Sequence, residues 1–394
     1  MQMKYMYLSL ALCLSLTGFA QVDLINKVKD NQSKDAKEGF QWSPVVDVER
    51  MAVENQGASG TCWSYSSNSF LESEMARMGK EPADLSEMYV VRATYEEKAD
   101  RYVRMHGNLT FGQGGALPDV IDLYDKYGIV PESAYKGLNY GTDYNQHGEM
   151  EAILKAILDA VVANKNNQLS PVWKKAYTAV LDAYLGDGPK EFEYKGKTYT
   201  PQTFAHDVVG INASDYVAIT SWTNYDMYKP CVLMVPDNWI YGQYYNVEME
   251  DMIKIIDNAL KKGYSVAWAT DVSEKYFSWK NGLAYVPEKE YSKMTQEERE
   301  AMFKGPKPEM AITTELRQQG FDNYTTTDDH GMHIVGISKD QDGKEWYLVK
   351  NSWGTGNDYN GYLYVSKNFV RYKTLSLLLH KDALSTDIRK KLSL

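Results

Sequence analysis

An α+β fold, with a helical first part and a β-rich last part, is what the sequence predicts, and three observations carry that prediction. Up to about residue 262, apolar side chains recur mainly at helical spacing. From residue 264 onward, short runs rich in β-branched and aromatic residues dominate, bounded by turn residues. Residues from about 146 to 248 separate the two parts and read as helices around one hairpin. The chain has 394 residues, 43% of them apolar and 13% aromatic, enough for one two-lobed domain or two smaller ones. Its formal charge of −10 argues against a nucleic-acid surface.

Residues 1–20 carry one basic residue, Lys4, then an apolar run over residues 5–16, and end Gly18-Phe19-Ala20. Small residues at the two positions a signal peptidase reads predict cleavage before Gln21. The apolar run is shorter than the roughly 18 residues a spanning helix needs. Cys13 follows Leu12, where a lipid-attachment site needs a small residue. An exported protein, periplasmic or secreted, with no stable membrane association after cleavage is the expectation. The mature chain then holds two cysteines, Cys62 and Cys231, too few for a disulfide framework if one is chemically active.

Residues 55–65 read NQGASGTCWSY. Trp63, Ser67, Phe70, Leu71, Met75 and Met78 follow at helical spacing and Gly79 stops the run, so Cys62 is predicted to open a helix, with Ser59 and Thr61 available as caps. A thiol in the first turn sees the positive end of the macrodipole and unpaired N–H groups, which favour the thiolate. That makes Cys62 a candidate nucleophile rather than a buried small hydrophobe. Residues 85–104 read as polar and partly helical. Gly112-Gln113-Gly114-Gly115 is a turn before a helix carrying Leu117, Val120, Ile121 and Tyr124, with its stop at Gly128.

Residues 149–164 form a strong helix pattern, and Ser170-Pro171 is an N-cap and first-turn proline leading to Gly186. Residues 192–199 alternate around Lys195-Gly196 as a hairpin. A helix over residues 247–262, a strand over 264–270 and a capping box at Thr295-x-x-Glu298 come next. Strands are then predicted over residues 332–337, 346–350 and 361–365, with Asp342-Gly343 as a hairpin turn.

Two further stretches complete a nucleophilic pattern. Asp329-His330-Gly331-Met332-His333 offers two histidines as the base, and their spacing of three puts them on opposite faces of a strand, so only one can meet Cys62. Lys350-Asn351-Ser352-Trp353-Gly354 supplies a carboxamide able to fix an imidazole tautomer. There is no His-Glu-x-x-His pattern and no paired-cysteine zinc spacing, so neither metal nor cofactor is expected.

Ser59-Gly60-Thr61-Cys62-Trp63, with Gln56 six residues before the thiol, resembles the nucleophile segment of papain-like cysteine peptidases. A serine at position 59, where secreted cathepsin-type members have a disulfide cysteine, is similar to the bleomycin hydrolase and aminopeptidase C branch. The resemblance implies a papain-like fold of two lobes over residues 21–394, with residues 146–248 as a helical insertion between a helical left lobe and a β-rich right lobe. It implies Cys62 as nucleophile, His330 as its partner, Asn351 as the orienting group and Gln56 in the oxyanion hole. His330 rather than His333 fits, because a polar residue precedes it, a small one follows, and Gly336 lies six positions on. Gly114 and Gly115 would pair with an extended substrate, Trp63 and Trp353 would also line the substrate site, and Trp353 would cover the His330–Asn351 bond. His330 lies farther from Cys62 than the family's usual roughly 130–150 residues, an excess the insertion accounts for.

Peptide substrates follow, and removal of N-terminal residues is the leading expectation. An endopeptidase of the same fold, or an acyltransferase using the same thiol, are the alternatives. In the branch, a C-terminal arm reaches the cleft and a hexamer is common. The chain's end, from Asp382 to Leu394, is shorter and more basic than that arm.

Overall fold

The computed structural model describes residues 39–166 and 168–394; the predicted export segment, residues 1–20, lies outside the described residues. The first lobe is built from α1 (Cys62–Arg77), α2 (Glu87–Arg104), α3 (Leu117–Tyr127), α4 (Gly148–Val162) and α5 (Trp173–Leu185). Phe70, Leu71, Tyr95, Val120, Leu154 and Leu181 meet in its core. Gly128, at φ 73°, ends α3 in a conformation that a side chain would strain. Residues 85–104, read from sequence as partly helical, are helical from Glu87, with the Ser86 hydroxyl capping the Tyr89 N–H.

The second lobe is one large sheet. Its strands are β4 (Tyr216–Thr220), β5 (Pro230–Val232), β6 (Gln243–Asn246), β7 (Val266–Thr270), β8 (Phe277–Ser278), β9 (Leu283–Ala284), β10 (His330–Lys339), β11 (Glu345–Lys350), β12 (Tyr362–Ser366) and β13 (Thr374–His380). They run in the order β5-β6-β4-β13-β7-β10-β11-β12-β9-β8, and β1 (Ser43–Asp47) also pairs with β10. The amphipathic helix α6 (Met249–Lys261) lays Met252, Ile253, Ile256 and Leu260 on the sheet, with Trp268, Ile334 and Val349 in the same core. Asp340 closes the β10–β11 turn by accepting from the Asp342 and Lys344 N–H groups around Gly343, and the Thr295/Glu298 capping box forms as expected.

The insertion departs from its predicted character. Its first part is helical, and β2 (Phe192–Tyr194) and β3 (Lys197–Tyr199) form the expected hairpin. The helix expected from Ser170-Pro171 begins at Trp173, because the Ser170 hydroxyl accepts from the Val172 N–H one residue too early to cap it. From Tyr216 the insertion turns to β4, β5 and β6, which extend the sheet beyond β13. A strand of three to five residues has little local signal. β4 takes its antiparallel ladder from β13, more than a hundred residues downstream, and β6 and β5 are added in turn beyond it.

Both lobes close on α1. Every residue from Cys62 to Met75 is buried, including Ser64, Ser67, Asn68, Glu72 and Glu74, so the helix is a central post rather than a half-exposed amphipathic one. Its polar face bonds to both neighbours: Ser64 Oγ donates to Glu87 O, Ser67 Oγ donates to Leu117 O, and Ser69 Oγ bonds His333 Nδ1. Gly331 permits the contact with β10, since a Cβ there would stand 2.8 Å from Ser66 Oγ and 3.3 Å from Trp63 Cα.

Candidate active site

Cys62 is the first residue of α1 and is 3% exposed. Thr61 is the N-cap but makes no capping bond. Its hydroxyl instead bonds Ser59 Oγ at 2.6 Å, and Ser59 Oγ donates to Gln56 O, so the predicted capping role of Ser59 and Thr61 is corrected to loop closure. The loop is also tied to the third stretch. Gln56 N donates to Ser352 O, Ser352 Oγ donates to Gln56 Oε1 at 2.7 Å, and Gln56 Nε2 gives one hydrogen to Ser59 O. Gln56 is fully buried.

His330 opens β10 and its Nε2 lies 2.7 Å from Asn351 Oδ1. The same oxygen accepts from the Ser352 backbone N–H at 2.8 Å, which identifies it as oxygen rather than amide nitrogen. His330 Nε2 therefore carries a proton and Nδ1 carries the lone pair. Trp353, 3% exposed, lies with its ring centroid 4.6 Å from that of His330, and Trp279 braces it edge-on at 5.3 Å. Water is thereby kept from the imidazole–carboxamide bond. Burial pushes His330 down to about 4, against the opposing pull of the Asn351 bond.

His333 has the other parity and another function. It is fully buried, its Nδ1 bonds Ser69 Oγ, and Lys350 Nζ donates to the same hydroxyl at 2.8 Å. Burial, then the Lys350 and Arg50 charges, holds it well below the usual histidine range. It belongs to the seam between the lobes.

Cys62 and His330 line one cleft, together with Trp63, Gly115, Ala269 and Ser376. The glycine turn is anchored to the loop and helix start around Cys62: Trp63 Nε1 donates to Gln113 O at 2.9 Å, and Gly60 N donates to Gln113 Oε1 at 2.6 Å. A Cβ on Gly115 would stand 2.7 Å from Trp63 Cε2, so this glycine is needed for the indole to pack. The Asp237 carboxylate lies against Gly114, leaving no room for a side chain there. Asp237 and Asp328 also line the cleft. Sequence reasoning passed over both: Asp328 is visible only as part of an acidic doublet before His330, and Asp237 has no local signal. The C-terminal helix α9 (Thr386–Leu392; α7 and α8 are Thr314–Asp322 and Lys367–Lys373) packs Ile388 and Leu392 into the sheet-lobe core, and Lys391 Nζ meets Asp251 at 3.1 Å. Leu394 is not among the cleft's described wall residues.

The model of the Peptidase C1-like family matches residues 14–394. The chain belongs to that family. This C1-like peptidase is 23% identical to Aminopeptidase C of Streptococcus thermophilus, over 92% of its own length and 87% of that protein's. It is 24% identical to Aminopeptidase G of Lactobacillus delbrueckii subsp. lactis, over 86% and 83% of the two chains. Its fold matches that of the PepW crystal structure from Lactobacillus rhamnosis at a TM-score of 0.71 and 19% identity, over 97% of this chain and 92% of that one. The fold is thus papain-like, and the enzyme class is cysteine-type peptidase.

Proposed function

We propose that the chain is an aminopeptidase in which Cys62 attacks the carbonyl carbon of the first peptide bond. The observation that carries this reading is the tautomer of His330: its Nε2–H donates to Asn351 Oδ1, so Nδ1 is the atom left to accept the Cys62 proton. The thiolate adds to the carbonyl, and the negative oxygen is held by the Cys62 N–H and the remaining hydrogen of Gln56 Nε2. His330, now charged, protonates the departing amine, and the thioester is cleaved by a water that His330 deprotonates. Peptides are the substrates, and the relatives named as aminopeptidases support the choice of N-terminal cleavage.

A fluorogenic alanyl amide with a free amine and its N-acetyl twin test the reading. Cleavage of the free form alone, lost in Cys62→Ser, is expected; equal cleavage of both would make the protein an endopeptidase. Export is proposed on the residues 1–20 pattern and is checked by whether the mature protein begins at Gln21. A homo-oligomer, by resemblance a hexamer, is checked by light scattering.

A further inference from the structure

The hydrolytic step leaves two carboxylates of the cleft unused. Asp237 and Asp328 share the cleft with Cys62 and His330. One ammonium, that of Lys98, faces Asp237, Asp119 and Glu151 together. It is held behind the glycine turn, donating to the carbonyl oxygens of Gly112 and Gly114. Asp119 stands behind Gly115 at 1% exposure. Its Oδ2 accepts from Ala116 N and Trp239 Nε1, while its Oδ1 has no hydrogen-bond partner. Several carboxyl groups thus crowd this end of the cleft around a single ammonium.

Asp237 is presented by a built loop. Asn238 Nδ2 donates to Leu233 O and Gly242 O, and Asn238 Oδ1 accepts from Gly242 N at 2.8 Å, so one side chain staples both ends. Trp239, 3% exposed, pins the loop to the helical lobe through its 2.6 Å bond to Asp119. The insertion thus delivers a carboxylate onto Gly114, next to the nucleophile, at a fixed position. Among the described residues no cluster of acids is arranged to hold a metal ion.

Resting on the aminopeptidase reading above, we propose that Asp237 and Asp328 form the subsite for the substrate's free α-ammonium, in the cleft they line with Cys62 and Gly115, and that this subsite selects unblocked N-termini. An alkylammonium brings one positive charge and three N–H donors, which suits two carboxylates lining one cleft. An acetylated nitrogen brings no charge and one donor, so both acids would be desolvated without compensation. Burial raises the pKa of both carboxyls, and Asp328 is raised further by Asp237 and Asp119. An ammonium between them removes that mutual repulsion.

The test compares kcat/KM for the free and N-acetylated alanyl amides in wild type, Asp237→Asn and Asp328→Asn, with iodoacetamide labelling of Cys62 as the measure of an intact site. The expected result is a loss of roughly 10- to 100-fold on the free amide in each variant, mostly in KM, with the acetylated twin unaffected and labelling at the wild-type rate. Should an Asn variant lose labelling, the Ser variant at that position takes its place. A wild type that prefers the free amide and variants that keep the same preference would overturn this subsite while leaving the aminopeptidase reading intact. A wild type with no such preference would overturn both. Cleavage of an N-blocked lysyl-alanyl amide as fast as the free alanyl amide would assign the two acids to a basic side chain instead, and would also overturn the proposal.

Discussion

His330 spends its Nε2 proton on a buried carboxamide, and burial holds its pKa at about 4 rather than 6.5. Above that pH the free ring is neutral and can accept the Cys62 proton; below it the ring is already charged and cannot. The acid limb of kcat/KM should therefore fall near pH 4 when the profile is measured from pH 3 to 8, and a limb at 6.5 would contradict the burial argument. Asn351→Ala removes both the tautomer lock and the acceptor while leaving the sulfur in place. A loss on the order of 10²-fold in kcat is expected, with iodoacetamide still reaching Cys62. The Gln56 amide is held by two bonds to fixed partners, Ser352 and Ser59, so its substitution should act on kcat rather than KM.

At the scale of elements, the site depends on how closely α1 lies on β10. Gly331→Ala puts a methyl group 2.8 Å from Ser66 Oγ and 3.3 Å from both Cys62 O and Trp63 Cα, so the helix start must move. Overpacking of this kind costs about 1–3 kcal/mol, and a lower denaturation midpoint should accompany a fall in kcat. Cys62, His330 and Asn351 were legible in sequence because each sits in a short motif whose chemistry needs its neighbours. The hairpin at Lys195-Gly196 and the Thr295 capping box were legible for the same reason. What was not legible depends on distant partners. β4 takes its ladder from β13, with β6 and then β5 added beyond it, α1 buries its serines only because a second lobe covers them, and Asp237 reaches the cleft only because Asn238 and Trp239 shape its loop.

Across the whole molecule, the unusual feature is how many ionisable groups the two lobes enclose. Burial raises Glu72 to about 8, and Asp119 and Glu132 to about 7, with Glu87 also well above its ordinary value. Burial moves histidines the other way: His147, fully buried with neither ring nitrogen bonded, falls to about 3, and His333 falls well below 6.5. An acid raised in the folded state keeps its proton while the unfolded chain has lost it, so stability declines as pH rises from about 4 to 8. A histidine lowered in the folded state has the opposite effect, and its contribution declines as pH falls from 6.5 to about 3. Each such group changes stability by about 1.4 kcal/mol per pH unit within its own window. Between pH 4.5 and 6.5 the acids outnumber the histidines, so stability is expected to fall across that window and the optimum to lie at or below about pH 4.5. Denaturant unfolding from pH 4 to 9 measures this, and Glu72→Gln isolates one contributor. The amide never ionises and its oxygen still accepts from the Leu85 N–H, so the decline between pH 5 and 8 should become shallower by about one proton's worth. An unchanged slope would mean that Glu72 is already ionised inside the fold, with Lys350 as its counter-charge.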